Sequence, residues 1–450
     1  MKVILISPAV HSVLQKTNTI MPPLGLLHVA SVLREAGHDV QVVDMSLNAT
    51  TPDLSPYDLV GITCTTSQTW KALDYGRQAK ELGKTVVMGG PHPSFMADSL
   101  FATGLVDYVV RGEGEYTALD LVNGLEQHKG QFNPATIQGL SWYDKETKRA
   151  VHNPPRPFIK DLDSLPDPAR DLLDLESYKV TKYQGRSTIT ILTSRGCPYD
   201  CSFCASTQLT GKKWRKRSVI PIVDEIEFLA EKHGFTAVAF VDDNLTIHIP
   251  RAKELCDEII RRRLDIRWWC MASADSLIRN EELIEKMAAA GCGQVFIGLE
   301  SPNERVLTSY NKKASADMGR KSVEILRKYG IGAYGSFILG EVSETVEDIN
   351  RTIKYAKSLN LKTAQFSLLT PYPGTRLFSQ MENRLITKDW RKFDGLHAVF
   401  QPDFLTPKKL DRLLIKAYLS FYLDRHRLST KSLLYQLRKA LTIIKGIKSN

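Results

Sequence analysis

Short apolar runs alternate with amphipathic segments along most of the 450-residue chain. Over residues 1–128 the runs 3–7, 40–44, 59–64, 85–88 and 106–110 are almost continuously apolar, the pattern of strands buried on both faces. Residues 24–36, 71–82 and 117–125 carry apolar positions at helical spacing, the first of them set off by Pro22 and Pro23. Strands alternating with helices predict an α/β domain, a doubly wound, Rossmann-like parallel sheet covered on both sides. Residues 129–186 lose the rhythm. Pro154, Pro155, Pro157, Pro166 and Pro168 exclude a long helix there, and the stretch reads as a linker with one short strand near 139–143. The alternation resumes at Ser187 in six strand–helix units, with strands ending near Thr193, Val241, Ala272, Leu299, Leu339 and Leu369. Six strands are too few for a closed eight-stranded barrel but suit a partial (β/α)6 barrel over residues 187–400. Residues 401–450 read as a helical C-terminal segment. Leu410, Leu413, Leu414, Tyr418, Phe421 and Tyr422 fall on one face of a first helix, and Leu433, Leu434, Leu437, Leu441 and Ile444 on one face of a second.

Composition, at 43% hydrophobic and 24% charged, is that of a soluble globular protein of two or three domains. No window approaches the roughly 18 apolar residues of a membrane span. The opening MKVILISPAV reads as a buried strand, because it is short and lacks a small-residue cleavage site. The net charge of +10 is concentrated at the end: from Leu405 onward eleven Lys or Arg face only Asp411 and Asp424. The rest is nearly neutral, so a nucleic-acid partner is not expected. Lys431, Arg438, Lys439, Lys445 and Lys448 crowd the second tail helix without an acid. Two readings stay open for it: a solvated basic end, or a helix lying peripherally on an anionic membrane beside a lipid-like substrate.

Polar groups gather where the strands end. In the first domain they are Thr65, Thr66 and Ser67, then Gly89, Gly90, Pro91 and His92, then Arg111, Gly112, Glu113 and Gly114. Ligands of doubly wound sheets bind at such carboxyl ends. In the second they are Asp242, Asp243 and Asn244, then Ser273, Glu300 and Ser301, Gly340 and Glu344, and residues 371–375. Directly after the first barrel strand comes CPYDCSFC, which sets Cys197, Cys201 and Cys204 at C-x3-C-x2-C spacing. Thiolates hold iron–sulfur clusters, and a four-iron cubane with three local thiolates keeps one iron open. A zinc knuckle short of its fourth ligand is the bland alternative, at odds with the four ligands of structural zinc sites. Seven cysteines, an odd number with three in one motif, predict a reducing, cytoplasmic compartment. Cys64, Cys256, Cys270 and Cys292 read as small buried hydrophobes. For His92, His248, Trp268 and Trp269 structural packing is the default expectation.

The cysteine motif, with PPLGLLHVASVLREAGHDV, GGPHPSF and VRGEGE before it, resembles the cobalamin-dependent radical S-adenosylmethionine (SAM) family. The resemblance implies a cobalamin-binding domain followed by a radical SAM partial barrel, with a [4Fe–4S] cluster, SAM and cobalamin as cofactors. On it, Cys197, Cys201 and Cys204 ligate the cluster. Phe203, Glu300, Ser301, Gly340 and Glu344 approach SAM, and Pro23, Leu24 and the first domain's loop residues named above approach cobalamin. The segment 341–345 departs from the family's usual G-L-P-G-E-T. The cobalt-ligating D-x-H-x-x-G motif is missing, and His11 lies in its loop without the Asp and Gly. The activity implied is methylation of an unactivated carbon through a 5′-deoxyadenosyl radical and methylcobalamin. An external electron donor such as flavodoxin or ferredoxin feeds the cluster, and the substrate is a small or lipid-like molecule. Oxidative cyclisation of the chlorophyll-cyclase kind is the alternative within the family, and an iron–sulfur electron carrier the alternative outside it.

Overall fold

The computed structural model describes residues 1–9, 19–47, 50–127 and 132–423, which leaves His11 and the second tail helix outside the described residues. Its first sheet takes β1 (Lys2–Ser7), β2 (Asp39–Asp44), β3 (Leu59–Thr63), β4 (Thr85–Gly89), β5 (Tyr108–Val110), β6 (Leu140–Asp144) and β7 (Arg149–His152), in the order β2-β1-β3-β4-β5-β6-β7. The first five are parallel. Strand β1 is apolar at every inner position because Val3 and Leu5 enter one core while Ile4 and Ile6 enter the other. Helices α1 (Leu24–Glu35) and α4 (Glu115–Gln127) cover the first of these faces, and α2 (Thr69–Glu81) and α3 (Pro91–Phe101) the second. The order reverses between β1 and β3, where doubly wound sheets open a ligand crevice.

Two departures from the sequence pattern concern this sheet. The short strand expected near 139–143 is β6, but together with the unpredicted β7 it extends the sheet by an antiparallel hairpin beyond β5, so part of the stretch read as linker belongs to the first domain. Pro91 and His92, read as part of a strand-end loop, begin a helix over 91–101 for which the pattern gave no element: Pro91 occupies the first helical turn and Gly90, at φ 95°, is the cap before it. A glycine is needed at that cap, since a Cβ there would sit 2.7 Å from the Thr63 hydroxyl.

The second sheet runs β16-β15-β14-β13-β12-β9-β8. Strand β8 (Lys182–Tyr183) pairs antiparallel with β9 (Arg186–Ile191), and a short hairpin of β10 (Ser194–Arg195) and β11 (Arg215–Lys216) follows. Then β12 (Ala237–Phe240), β13 (Arg267–Ala272), β14 (Cys292–Glu300), β15 (Gly332–Leu339) and β16 (Thr363–Leu368) continue parallel to β9 in sequence order. These are the six parallel strands of the expected partial barrel. Helix α5 (Ser206–Thr210) follows the cysteine loop. The connecting and outer helices are α6 (Val219–His233), α7 (Ile249–Arg261), α8 (Ala274–Ile278), α9 (Glu281–Ala289), α10 (Glu304–Ser309), α11 (Ala316–Lys328), α12 (Val346–Ser358) and α13 (Arg376–Met381).

The open edge at β16 is covered by α14 (Pro407–Tyr422), the first tail helix, which buries Leu410, Leu413, Leu414, Tyr418, Phe421 and Tyr422. Tyr418 donates its hydroxyl to the Phe366 carbonyl and accepts from the Phe366 N–H; Tyr422 does the same at Ala364. Side-chain hydroxyls thus satisfy the edge that a closed barrel would have paired. Among the described residues no helix is long and apolar enough to cross a membrane.

Candidate functional site

The cysteine loop is held at both of its ends and in the middle. The fully buried carboxylate of Asp242, just beyond β12, accepts from the backbone N–H (3.2 Å) and hydroxyl (2.7 Å) of Thr193, two residues past β9. Arg251 grips the Thr193 carbonyl at 3.0 Å. Burial among these partners makes Asp242, one of the strand-end polar groups, the anchor from which the loop leaves. Gly196, at φ 87°, turns the chain where a Cβ would lie 2.4 Å from the Lys213 carbonyl oxygen. The Cys197 N–H then donates to Gly211 (3.2 Å), and Ser202 bridges to Tyr310 (2.9 Å) and Leu377 (3.0 Å) through backbone bonds.

Cys197, Cys201 and Cys204 are each partly exposed, whereas Cys64, Cys256, Cys270 and Cys292 are buried. Burial within the loop raises the three site thiols, Cys197 to about 11, so metal uptake must displace protons. Among the described residues no three His, Cys, Asp or Glu side chains converge on one point as ligands of a single ion do. A cubane asks for something else: each thiolate takes its own iron, and the donors stand apart.

Beside the loop, β14 ends in a register shift, and Glu300 sits at φ 53°, a left-handed conformation uncommon for Glu. Its buried carboxylate meets the Lys312 ammonium at 2.5 Å. Burial opposes the charge on Lys312, but Glu300, with Cys201 and Cys204 nearby, leaves its affinity for the proton above the ordinary value. The sequence reading missed Lys312, which lies on a turn after α10 and carries no motif. Ser301 is turned inward, its hydroxyl 3.3 Å from that of Thr352. Phe203 packs edge-on to Tyr310 at 5.2 Å in a cluster that includes Val342 and Tyr372. Glu344 accepts from the N–H groups of Gly340 (2.8 Å) and Glu341 (2.9 Å), while its other oxygen has no partner. Burial raises its carboxyl to about 7. Gly340 itself backs onto Leu410 of α14.

Across from the loop, a cavity of roughly 370 Å³ opens between the first sheet and helices α1 and α4. Val3, Leu5, Leu33, Leu59, Leu121 and Val122 form its depth, and Gly89, Gly90, Pro91, Gly112, Glu113 and Gly114 its upper wall. The barrel closes its mouth with Ser194, Arg195, Ser206 and Asp243. Two polar atoms on this wall, His28 Nδ1 and Glu115 Oε2, are buried without partners. Apolar depth, glycines at the wall and unpaired polar atoms suit a flat ligand arm that carries a few polar groups, such as the nucleotide arm of a cobalamin. Pro23, Leu24, Thr65, Thr66, Ser67, His92 and Arg111 do not line it. His92 meets Trp390 edge-on at 5.1 Å, and Arg111 donates to the Leu140 and Asn153 carbonyls. His248 caps α7, and Trp268 is core, its indole bonded to the Ala290 carbonyl at 2.8 Å, as expected by default.

A buried charge cluster joins the two halves. Arg195 pairs with Glu115 at 2.6 Å and Glu113 at 3.3 Å, and Arg215 with Glu113 at 2.8 Å. Burial would raise the Glu115 carboxyl, but Arg195 outweighs it and holds it below the ordinary range. Arg195 stands two residues before Cys197, so VRGEGE is tied directly to the cysteine loop. The sequence reading missed Arg195, Glu115 and His28 as site residues, although Glu115 lies within a quoted motif.

Two family models match the chain: the Radical SAM superfamily over residues 191–356 and the B12 binding domain over residues 10–122. A Pyrococcus horikoshii protein named as an uncharacterized methyltransferase is 37% identical over 94% of this chain and 93% of its own length. The bacteriochlorophyllide d C-8(2)-methyltransferase of Chlorobaculum tepidum is 30% identical (94% and 90%). The anaerobic magnesium-protoporphyrin IX monomethyl ester cyclase of Rubrivivax gelatinosus is 29% identical (94% and 78%). The methyltransferase TsrM from Kitasatospora setae, solved with cobalamin and a [4Fe–4S] cluster, shares the fold at TM-score 0.72 and 20% identity over 100% of this chain and 99% of that one. OxsB with aqua-cobalamin does so at TM-score 0.76 and 18% identity, over 99% and 72%. The chain therefore belongs to the cobalamin-dependent radical SAM methyltransferase family, whose enzymes work with a [4Fe–4S] cluster, SAM and cobalamin.

Proposed function

We propose that Cys197, Cys201 and Cys204 hold the cluster, that the cavity above β1 and β3 receives cobalamin, and that the carbon to be methylated lies between them. The supporting observation is adjacency: Asp243 and Ser206 line the cavity mouth, and the Asp243 carboxylate is near enough to Cys197 and Cys204 to raise both thiols. When bound, the cofactors supply hydrogen abstraction at an unactivated carbon and delivery of a methyl group. The chain's own part is positional. Arg195 and Glu115 fix the cavity against the loop, the aliphatic depth excludes water, and Glu300 keeps Lys312 charged beside the thiols. Phe203, Glu300, Ser301, Gly340 and Glu344 are the proposed surroundings of SAM. Ser301 and Glu344 act there through backbone and neighbouring side chains, to which their own atoms are bonded.

The substrate is proposed to be a small or lipid-like molecule, and the basic second tail helix to rest on an anionic membrane. The sequence pattern of residues 431–448 supports the latter. Flotation with anionic vesicles, comparing the full chain with one ended at Ser429, tests it; equal flotation removes both membrane and lipid. The cofactor assignment is tested by anaerobic purification of the Cys197→Ala/Cys201→Ala/Cys204→Ala chain. Loss of iron and of 5′-deoxyadenosine formation is expected, and SAM cleavage retained in the triple variant overturns the ligand set. A product one methyl heavier than substrate supports methyl transfer; a ring at unchanged carbon count assigns the cyclase-like alternative.

A further inference from the structure

The cysteine loop carries on its outer side a rim of basic residues that the chemistry above does not use. Lys212 and Lys213 belong to the stretch clipped beneath the loop by the Cys197–Gly211 bond. The Lys212 ammonium returns to the loop at Asp200, the residue before Cys201, at 2.8 Å. Arg376, at the start of α13, meets the same carboxylate at 2.9 Å. Asn311 donates to the Asp200 carbonyl at 2.8 Å, which brings the exposed Lys313 to this rim. On the far side Arg279 pairs at 2.6 Å with Asp275, and Asp275 also accepts the hydroxyl of Tyr199 from within the loop.

The cations stand outside and the acids inside. Arg279, Lys212 and Arg376 side chains are 65%, 56% and 46% exposed, against 30% for Asp200 and 8% for Asp275. Lys213 is exposed as well. The loop's thiols are also the only cysteines of the described residues that reach solvent. The surface nearest the proposed cluster therefore presents positive charge outward.

We propose that this rim is the docking surface for an acidic one-electron carrier protein, one whose redox group lies at a negatively charged face. The proposal rests on the assignment of the cluster to Cys197, Cys201 and Cys204. One electron leaves the reduced carrier and enters the oxidised cluster, with no bond made or broken. Opposite charge at such a face raises encounter rates by about 10–10³-fold at low salt and is screened as salt rises. The rim, mostly charged with the exposed Phe158 ring beside it against Gly211, suits a transient complex that must release the spent carrier.

The test uses the full chain with its cluster and the variant Lys212→Glu/Lys213→Glu/Lys313→Glu, none of which is placed at a cofactor. Calorimetry at low salt measures binding of oxidised bacterial flavodoxin, an acidic carrier. Stopped-flow absorbance measures cluster reduction by reduced flavodoxin and, separately, by photoreduced deazaflavin, a small donor that needs no docking. At least tenfold weaker binding and tenfold slower reduction by flavodoxin are expected, with deazaflavin reduction and iron content unchanged. The unsubstituted chain should lose its advantage as salt is raised. The neutral variant Lys212→Gln/Lys213→Gln/Lys313→Gln should fall between the two, and it serves if the reversed one does not fold. Reversal of Lys232, Lys321 and Lys328, exposed on other faces, should change nothing. Undiminished binding and reduction in the rim variant, or equal losses in the control, overturn the proposal. A failed cluster assignment reads differently: the unsubstituted chain would bind no iron, which removes both readings at once.

Discussion

The two sheets present opposite materials to their shared interface. The first offers an aliphatic cavity roofed by glycines, in which only His28 and Glu115 keep unpaired polar atoms. The second offers a polar face in which nearly every strand end is committed: Asp242 to Thr193, Glu300 to Lys312, Glu344 to Gly340 and Glu341. An apolar cavity binds by shape and tolerates a substitution until the space is filled. A network of buried charges tolerates almost none, because each removed partner strands another. The cavity should therefore fail by steric filling and the polar face by loss of charge balance, and the two failures should be separable.

The largest effect expected is on the cavity. Ala118 lies on its wall on α4 and is only partly buried, so Ala118→Trp should place an indole in the space without a clash in the core. Cobalamin retention through gel filtration should fall at least tenfold while iron content stays unchanged, and Val29→Phe from the facing helix should act in the same direction. Parallel loss of iron and cobalamin would break the comparison, since it would make the two sites one cooperative unit.

The next effect is at the seam. Arg195→Met leaves Glu115 buried beside no cation at 2.6 Å, and removing one partner of a buried pair costs about 3–5 kcal/mol. Urea unfolding should show that loss. Arg195→Met/Glu115→Gln should recover much of it, because the stranded carboxylate is gone. A double variant no better than the single would show that Arg195 acts through Glu113 instead.

Why some of this was legible and some was not follows from where the information lies. The cysteine loop is local: three thiols within eight residues, after an apolar run, state their spacing directly. The six barrel strands were legible because strand-length runs holding apolar residues recur between helical segments; β13, β14 and β16 alternate buried with less buried positions, since one face packs on the helices and the other lines the barrel. The cavity is not local. Its walls come from β1, β3, α1, α4 and the barrel, and no window of sequence holds them together. Residues 91–101 illustrate the limit: Gly-Gly-Pro-His-Pro reads as a loop, but Pro at a first helical turn is favourable, and packing of Ala97, Leu100 and Phe101 completes the helix. Lys312 and Arg195 were missed because a lone cation on a turn or after a short strand is indistinguishable from a solvated one until its partner is seen.

The smallest effect expected comes from His28, and it tests whether the cavity's own polar atom behaves as a buried neutral group. Burial above all, aided by Arg195 and Arg217 and opposed by Glu115 and Glu225, lowers its imidazole to about 4. An unfolded chain would take up the proton near 6.5. Above that value His28 is neutral in both states and contributes no pH dependence. Between about 6.5 and 4 the unfolded chain binds more protons than the folded one, so stability must fall as pH falls, and the loss levels off once both states are protonated. At pH 5 the difference amounts to about 2 kcal/mol. His92, lowered to about 4 by burial alone, adds a loss of the same sign. The measurement is urea unfolding of the cobalamin-free chain at pH 7 and pH 5, beside His28→Gln. The variant should lose less stability over that interval than the parent, by about the 2 kcal/mol assigned to His28. An identical pH dependence in the two chains would mean that the imidazole protonates in the folded cavity, and that the cavity is wetter and more polar than its aliphatic depth implies.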